Sequence, residues 1–537
     1  MPAFLTFDRI SAATPDGTRL FSDLTLAIGQ ETVGLVGRNG SGKSTLLAMA
    51  GGQSEPHSGS VTRSGRFAML RQLPDATGSV AEALELTDAL ALLARLEAGK
   101  GSGDDAARAD WTLEARIAEA FGKVGLPDIA LDRPMATLSG GERTRLGLAA
   151  MLLEAPDLLL MDEPTNNLDE DGRSAIAELL AGWTGGALVA SHDRELLERV
   201  DRIVHLSPTG IMSFGGGWSA FAAARDALRE RTEAERDRTR HELKRQAQDV
   251  QRQAEKKARR DKRGKASRAR GDAPKMLLDS RAERAEHSGA RERHLGERLL
   301  EDAGRAAEQA RAQVEIVTPL RIELPPAGLP ANRTLLRLDA VTLEQDGRRL
   351  FGPLSFAITG PRRVVVGGAN GSGKTSLLRI VTGDREPTGG TVERAPGAIA
   401  MLDQHVAGLD PALDLVANMQ ADHPGMTPGE AHEILARFAF RNRDALRPAA
   451  TLSGGERLRA GLAIATAGTP APQLLILDEP TNHLDIEAIE MLEAALSSWD
   501  GALLLVSHDR RFLDTIGYDL EIALASSPQS DERILLH

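Results

Sequence analysis

The hexapeptide LSGGER occurs twice, at Leu138 to Arg143 and at Leu452 to Arg457, and its surroundings repeat with it. GRNGSGKST at Gly37 to Thr45 is answered by GANGSGKTS at Gly368 to Ser376, LLLMDEPTNNLD ending at Asp169 by LLILDEPTNHLD ending at Asp485, and SHDR at Ser191 by SHDR at Ser507. Order is kept as well as identity, so the chain is a tandem duplication, and the two copies must share one architecture. A chain of 537 residues can house two cores of roughly 200 residues each. The offset between copies is 331 for Lys43 and Lys374, 332 for Gln72 and Gln404, and 314 for Ser139 and Ser453, which leaves eighteen extra residues in the first copy. Their expected place is in or near EAGKGSGDDAARADW, Glu97 to Trp111, a small arm-like insertion whose Gly, Ser and Asp cluster reads as a surface loop.

Each copy begins its chemistry with an apolar run, VGLVG at Val33 or VVVGG at Val364, followed by G-x-x-x-x-G-K-[ST] and a helical pattern. A strand, a glycine loop and a helix in that order make a phosphate cradle: the loop's N–H groups curl around phosphate oxygens and the helix N-terminus adds a favourable dipole. The expected ATP-binding residues are Gly37, Asn39, Gly40, Ser41, Gly42, Lys43, Ser44 and Thr45 in one copy. Gly368, Asn370, Gly371, Ser372, Gly373, Lys374, Thr375 and Ser376 are their counterparts in the other. Lys43 and Lys374 would reach the outer phosphates, and Ser44 and Thr375 would offer Mg²⁺ a hydroxyl. Downstream, Leu158 to Met161 and Leu474 to Leu477 are apolar runs that end in Asp-Glu. Asp162 and Asp478 would hold Mg²⁺ through water. Glu163 and Glu479, one residue on, would polarise the water that attacks the γ-phosphate.

P-loop, glutamine, LSGGE, DEPTNxLD and SHD, in that order and twice, resemble the ATP-binding cassette ATPases over essentially everything outside the linker. The resemblance implies an α/β fold: two P-loop cassette domains, residues 1–224 and 321–537, joined by a long antiparallel α-helical hairpin at 225–320. It also implies that the cassettes face head to tail as an intramolecular dimer within a monomer, each ATP lying between one P-loop and the other copy's signature. One site would use Lys43, Ser44, Gln72, Asp162, Glu163 and His192 with Ser453, Gly454, Gly455 and Glu456. The other would use Lys374, Thr375, Gln404, Asp478, Glu479 and His508 with Ser139, Gly140, Gly141 and Glu142. Mg²⁺ would be held by Ser44, Gln72 and Asp162, and by Thr375, Gln404 and Asp478. Both sites keep every element, so both are expected to hydrolyse ATP. Two departures stand out: Ala12 and Leu343 occupy the positions aligned with an adenine-stacking aromatic, and Asn167 in the first DEPTN motif stands where the second has His483.

The segment between the copies has the opposite electrostatic character from the rest. Arg225 to Leu320 holds 26 Lys and Arg against 19 Asp and Glu, a net +7 inside a chain of net charge −12, so the remainder carries −19. Leu243, Ala247, Val250, Ala254 and Ala258 fall on one helical face, as do Leu295, Leu299, Ala303, Ala306 and Ala310, with a break at Gly271 to Pro274. Two narrow Ala-rich stripes suit a close-packed helical hairpin, whose first arm is expected to run from Phe221 to Ala266. Gln251 to Arg270 concentrates ten Lys or Arg against two acids near the expected tip.

Two complete cassettes with DEPTNxLD and a charged helical linker are similar to the F subfamily, the translation-associated ATPases. In that family the hairpin enters the ribosome and meets transfer RNA and ribosomal RNA. The candidate RNA contacts are Lys256, Lys257, Arg259, Arg260, Lys262, Arg263, Lys265, Arg268 and Arg270, which would neutralise phosphates irrespective of base sequence. An antibiotic-resistance ribosome-protection factor and a DNA-repair or junction-binding ATPase are the alternatives. The short break at the tip disfavours the first, and a chain that stops soon after the second SHDR disfavours the second. The absence of cysteine, of a leader-like start and of any run of about 18 apolar residues fits a cytoplasmic protein without a membrane span.

Overall fold

The strand Leu158–Asp162 explains how each copy is layered. Successive side chains of a strand point to opposite faces, and here Leu158 and Leu160 enter one core while Leu159 and Met161 enter another. The second copy does the same, with Leu474 and Ile476 on one side and Leu475 and Leu477 on the other. A strand buried on both faces must be apolar without alternation, and that is why these runs read as they do.

The computed structural model describes residues 3–14, 17–70, 78–126, 129–166, 168–207, 210–270, 304–305, 322–345, 348–403, 408–524 and 533–536, with only some of the side chains beyond residue 249 in the helix that ends at Arg270. In the first copy the central sheet runs Phe67–Met69, Leu158–Asp162, Gly186–Ala190, Thr32–Val36, Arg202–Ser207 and Gly210–Gly215, all parallel except the last. The second copy has the same order: Ile399–Leu402, Leu474–Asp478, Ala502–Val506, Arg363–Gly367, Leu520–Ala523 and the antiparallel Arg533–Leu536. One face of each sheet packs on a three-stranded antiparallel sheet and on the helix after the P-loop, Lys43–Ala50 or Lys374–Thr382. The other face packs on helices that include Gly140–Leu153 and Glu170–Gly182, or Gly454–Ala465 and Ile486–Ser497. Ala12 and Leu343 lie inside the antiparallel-sheet cores, only 3% and 2% exposed, so neither position faces a base.

The expected insertion loop is partly helical. Gly103–Arg108 forms a short helix because Ser102 Oγ accepts from the Asp105 N–H and Asp105 accepts from the Ser102 N–H, a reciprocal cap. Trp111, at the end of the insertion, is exposed.

One compact unit comprises Met1–Phe221 with Leu320–His537, and a second comprises Ala222–Pro319. The helix Trp218–Arg270 is longer at both ends than the periodicity predicts and, at ~1.5 Å per residue, extends about 80 Å. Its root belongs to the first unit. Trp218 and Phe221 are buried, and Phe221 packs at ring distances of 5.8, 5.2 and 5.4 Å against His205, Phe214 and Trp218. Farther along, the half-covered stripe is Leu228, Thr232, Arg236, Thr239, Leu243 and Gln246. Leu243 belongs to the predicted stripe but Ala247 is exposed, because the covered face steps by three after Leu243 rather than by four. Lys256, Arg259 and Lys262 are exposed; the side chains of Lys257, Arg260, Arg263, Lys265, Arg268 and Arg270 lie outside the described set. The second stripe and the break at Gly271 to Pro274 are outside the described residues, except for Gly304 and Arg305, which are helical.

Candidate active site

Each P-loop turns into its helix through a glycine that no other residue could replace without strain. Gly42 and Gly373 are N-caps in the left-handed region, φ 98° and 97°, and give no side-chain cap to the helix N–H groups that follow. At the start of the loop, a Cβ on Gly37 would stand 2.5 Å from the Leu206 carbonyl oxygen, and one on Gly368 2.7 Å from that of Leu524. Lys43 Nζ donates to the Gly37 carbonyl at 2.8 Å, and Lys374 Nζ donates to those of Gly368 and Ala369 at 2.7 and 3.2 Å. Burial lowers the pKa of both lysines. Ser41 Oγ and Ser372 Oγ are buried without a hydrogen-bond partner, and these orphaned donors suit an anion held in the loop. Ser44 and Thr375 are exposed at the helix starts, and Thr375 Oγ1 donates to Asp478 Oδ2 at 3.0 Å. Gln72 and Gln404 are outside the described residues.

Asp162 and Asp478 terminate their strands, and the next residue in each copy takes an unfavourable backbone conformation, φ 45° at Glu163 and 46° at Glu479. Non-glycine residues adopt it at a cost of about 1–3 kcal/mol, and such strain gathers at functional sites. The bond from the Glu163 N–H to the Ala190 carbonyl, and from the Glu479 N–H to that of Val506, both 2.8 Å, holds the turn. Each glutamate then accepts from the backbone N–H of the histidine in SHD at 3.3 Å, and the His192 and His508 rings lie 3.3 and 3.4 Å from the same carboxylates. Burial, opposed by Lys43 and reinforced by Asp162, pushes the Glu163 carboxyl up to about 7; burial raises Glu479 as well. Burial and then Lys43 push His192 down to about 3, and burial followed by Lys374 and Arg173 pushes His508 down to about 4. Both imidazoles are therefore neutral near pH 7. Both ring nitrogens of His192 lack a hydrogen-bond partner, whereas His508 Nε2 lies 3.0 Å from Lys374 Nζ.

The two copies meet at these loops. The Asn39 backbone N–H donates to Asp485 Oδ2 at 3.0 Å, and Asn39 Nδ2 donates to the His483 carbonyl at 2.9 Å. A Cβ on Gly454 would lie 2.9 Å from that carbonyl oxygen and 3.7 Å from Asn39 Nδ2, so the second signature abuts the first P-loop. His483 adopts φ 61°, while its counterpart Asn167 is outside the described residues. In the other direction the electrostatic neighbours of Lys374 include Asp169, and those of Glu479 include Arg173.

Ser139 and Ser453 cap the helices Gly140–Leu153 and Gly454–Ala465, each in a reciprocal box with Glu142 or Glu456. Those two glutamates thus turn their carboxylates into their own loop: Glu142 accepts from the Ser139 N–H at 2.8 Å and from Arg133 at 2.9 Å, Glu456 from Ser453 at 2.9 Å and from Arg447 at 2.8 Å. Sequence reasoning passed over Arg133 and Arg447. Their offset of 314 equals that of the signature serines and marks them.

The ABC transporter family pattern matches residues 22–166 and 351–482, half of the chain. The tylosin resistance ATP-binding protein TlrC of Streptomyces fradiae is 32% identical, the match covering 92% of this chain and 93% of that protein. This chain belongs to the ATP-binding cassette family, subfamily F. The energy-dependent translational throttle protein EttA of Mycobacterium tuberculosis is 30% identical to this ABC-F chain over 90% of it and 84% of the relative. The mouse ATP-binding cassette sub-family F member 3 is 30% identical over 93% of this chain and 68% of the relative. Among solved structures, the archaeal ribosome recycling factor aABCE1, in complex with the stalk protein aP1, shares the fold at TM-score 0.57 and 19% identity, covering 98% of this chain and 89% of that one. Like its family, the ABC-F chain binds nucleotide and is an ATPase. Among the described residues, no helix is long and apolar enough to cross a membrane.

Proposed function

We propose that this ATPase works on the ribosome. Two ATP molecules close the cassettes head to tail, closure sets the basic helix against transfer or ribosomal RNA, and hydrolysis releases it. One ATP lies among Lys43, Ser44, Asp162, Glu163 and His192 and against Ser453, Gly454 and Gly455; the other lies among their counterparts and Ser139, Gly140 and Gly141. Glu163 and Glu479 polarise the attacking water. Neutral His192 and His508, each beside its glutamate, orient the γ-phosphate. Ser44, Gln72 and Asp162, or Thr375, Gln404 and Asp478, would hold Mg²⁺, which when bound would neutralise phosphate charge; few protein ligands are usual for this ion. The protein is monomeric and cytoplasmic in this reading.

The observation that carries the coupling lies at the root of the long helix. Ser219, in its first turn, donates through its N–H and Oγ to Glu198 Oε2 of the first copy at 3.0 and 2.8 Å, and Arg511 of the second copy reaches Glu198 at 3.2 Å and Ser219 Oγ at 3.4 Å. Arg511 is three residues beyond His508, so separating the cassettes pulls a cross-copy contact off the helix root. ATP can drive this switch only through its greater affinity for the closed form. The ribosome as partner is supported by relatives whose names speak of translation and of ribosome recycling.

The test is co-sedimentation of the Glu163→Gln/Glu479→Gln protein with ribosomes and with duplex DNA, with and without residues 229–310. ATP-dependent, hairpin-dependent ribosome binding together with slowed protein synthesis is expected; equal binding to DNA, or neither effect, sinks the reading. A second reading, ribosome protection against an antibiotic, is favoured by the likeness to TlrC. Translation in vitro with tylosin, with and without the wild-type protein, separates the two.

A further inference from the structure

Arg194 and Glu493 are buried charges, 7% and 6% exposed, that the chemistry above leaves unused. Arg194 follows SHD in the first copy, and Glu493 lies on the helix Ile486–Ser497 of the second. Both terminal nitrogens of Arg194 bond the Glu493 carboxylate, one of them at 3.1 Å, and Asp509 Oδ2 lies 3.7 Å from the other. The same helix is tied to the first copy at its start, where its N-cap Asp485 accepts from the Asn39 N–H. It is thus pinned at two points eight residues, or about 12 Å, apart.

The duplication supplies an internal comparison. At the offset of 316 that relates the two SHDR motifs, Arg194 corresponds to Arg510 and Asp509 to Asp193, but Glu493 corresponds to Ala177. Without an acid there, Arg510 pairs instead with Glu170 at 2.7 Å in a contact whose side chains are 66% and 67% exposed, and Asp193 is taken by Arg173 of its own copy at 3.0 Å. Ala177, Arg510, Arg173 and Asp193 line an open cavity where the other side of the junction is filled by the buried pair. An exposed pair contributes little, whereas removing one member of a buried pair is strongly unfavourable.

We propose that Arg194 and Glu493 form a latch between the copies that makes the two nucleotide sites unequal, keeping the Lys43 site closed longer than the Lys374 site. The latch joins the elements that wall the Lys43 site. Arg194 is two residues from His192, and the helix bearing Glu493 begins at the loop of His483 and Asp485 that touches Asn39. The inference rests on the composite sites proposed above. Both residues act by positioning, since neither touches the nucleotide.

Release of labelled ATP tests it one site at a time. In the Glu163→Gln/Glu479→Gln background, Lys374→Ala leaves the Lys43 site loaded and Lys43→Ala leaves the other. Glu493→Gln is expected to speed release from the Lys43 site at least about tenfold and from the Lys374 site less than about twofold. Ala177→Glu, which places an acid opposite Arg510 without disturbing a filled core, is expected to slow release from the Lys374 site. Equal acceleration at both sites, no acceleration in a folded Glu493→Gln protein, or no effect of Ala177→Glu overturns the latch. Ser453→Glu serves as control: it must speed release at the Lys43 site alone. Its failure removes the composite-site reading, whereas its success beside an inert Glu493→Gln removes only the latch.

Discussion

Gly140 and Gly454 hold the same place in LSGGER, each the first residue of its helix, yet the structure predicts opposite consequences for a single added methyl. A Cβ on Gly140 meets no atom within 4 Å. Gly140→Ala therefore gains the restriction of the unfolded chain, about 0.4–1 kcal/mol. Gly454→Ala gains the same amount, but its Cβ would stand 2.9 Å from the His483 carbonyl oxygen, a backbone atom that also accepts from Asn39 Nδ2. Displacing it costs about 1–3 kcal/mol in overpacking and about 1 kcal/mol for the disturbed hydrogen bond. The net loss is about 1–3.5 kcal/mol after the chain-entropy gain is counted. For a cassette-sized domain each kcal/mol moves the melting temperature by about 2–4 °C. Thermal unfolding without nucleotide should thus rise by roughly one to four degrees for Gly140→Ala and fall by several degrees for Gly454→Ala. Combining Gly454→Ala with Asn39→Ala should fall short of additivity, because both remove the same cross-copy bond. Equal shifts in the same direction, or full additivity, would refute the claim that the second signature is braced against the first P-loop.

Three further outcomes are expected. With Glu479→Gln leaving only the Lys43 site active, ATPase activity should fall about tenfold per pH unit below the Glu163 pKa, which burial holds near 7. The base form exists only above that value, His192 stays neutral throughout, and a profile flat down to pH 5 would remove Glu163 as the base. In the same background Arg447→Ala, which frees Glu456 from its 2.8 Å contact, should loosen the Ser453 cap by about 1–2 kcal/mol. Its signature is a several-fold rise in KM with kcat nearly unchanged, and Arg133→Ala should do the same for the Lys374 site in a Glu163→Gln background. Replacing the exposed Lys256, Arg259 and Lys262 by Gln should reduce the slope of log affinity against log salt for ribosome binding by about 2–3 while leaving thermal stability within about 0.5 kcal/mol.

The parts of the molecule visible from residues alone are those in which chemistry or local geometry demands particular residue types at short range. The P-loops, the Asp-Glu pairs and the doubly buried strands behind them are of this kind, because a phosphate cradle and a central parallel strand leave little choice over a dozen positions. The cap of Ser102 by Asp105 was equally local and legible as S-x-x-D, but the glycines around it dominate a reading for loops. The contacts that join the copies are different in nature: Asn39 and Asp485 are 446 residues apart, Arg194 and Glu493 are 299 apart, and neither pair has a periodicity or spacing to betray it. Backbone strain at Glu163 and Glu479 leaves no trace in composition either. What the duplication adds is a comparison inside one chain. Where the copies agree at a constant offset, as Arg133 and Arg447 do, a shared chemical duty is the economical explanation. Where they agree at an arginine and part at its partner, as at Glu493 and Ala177, the same fold has been left with a filled junction on one side and an open one on the other. Two sites that share every motif residue proposed for catalysis would then still differ in how firmly they close, if closure is set, as proposed, by side chains that never meet the nucleotide.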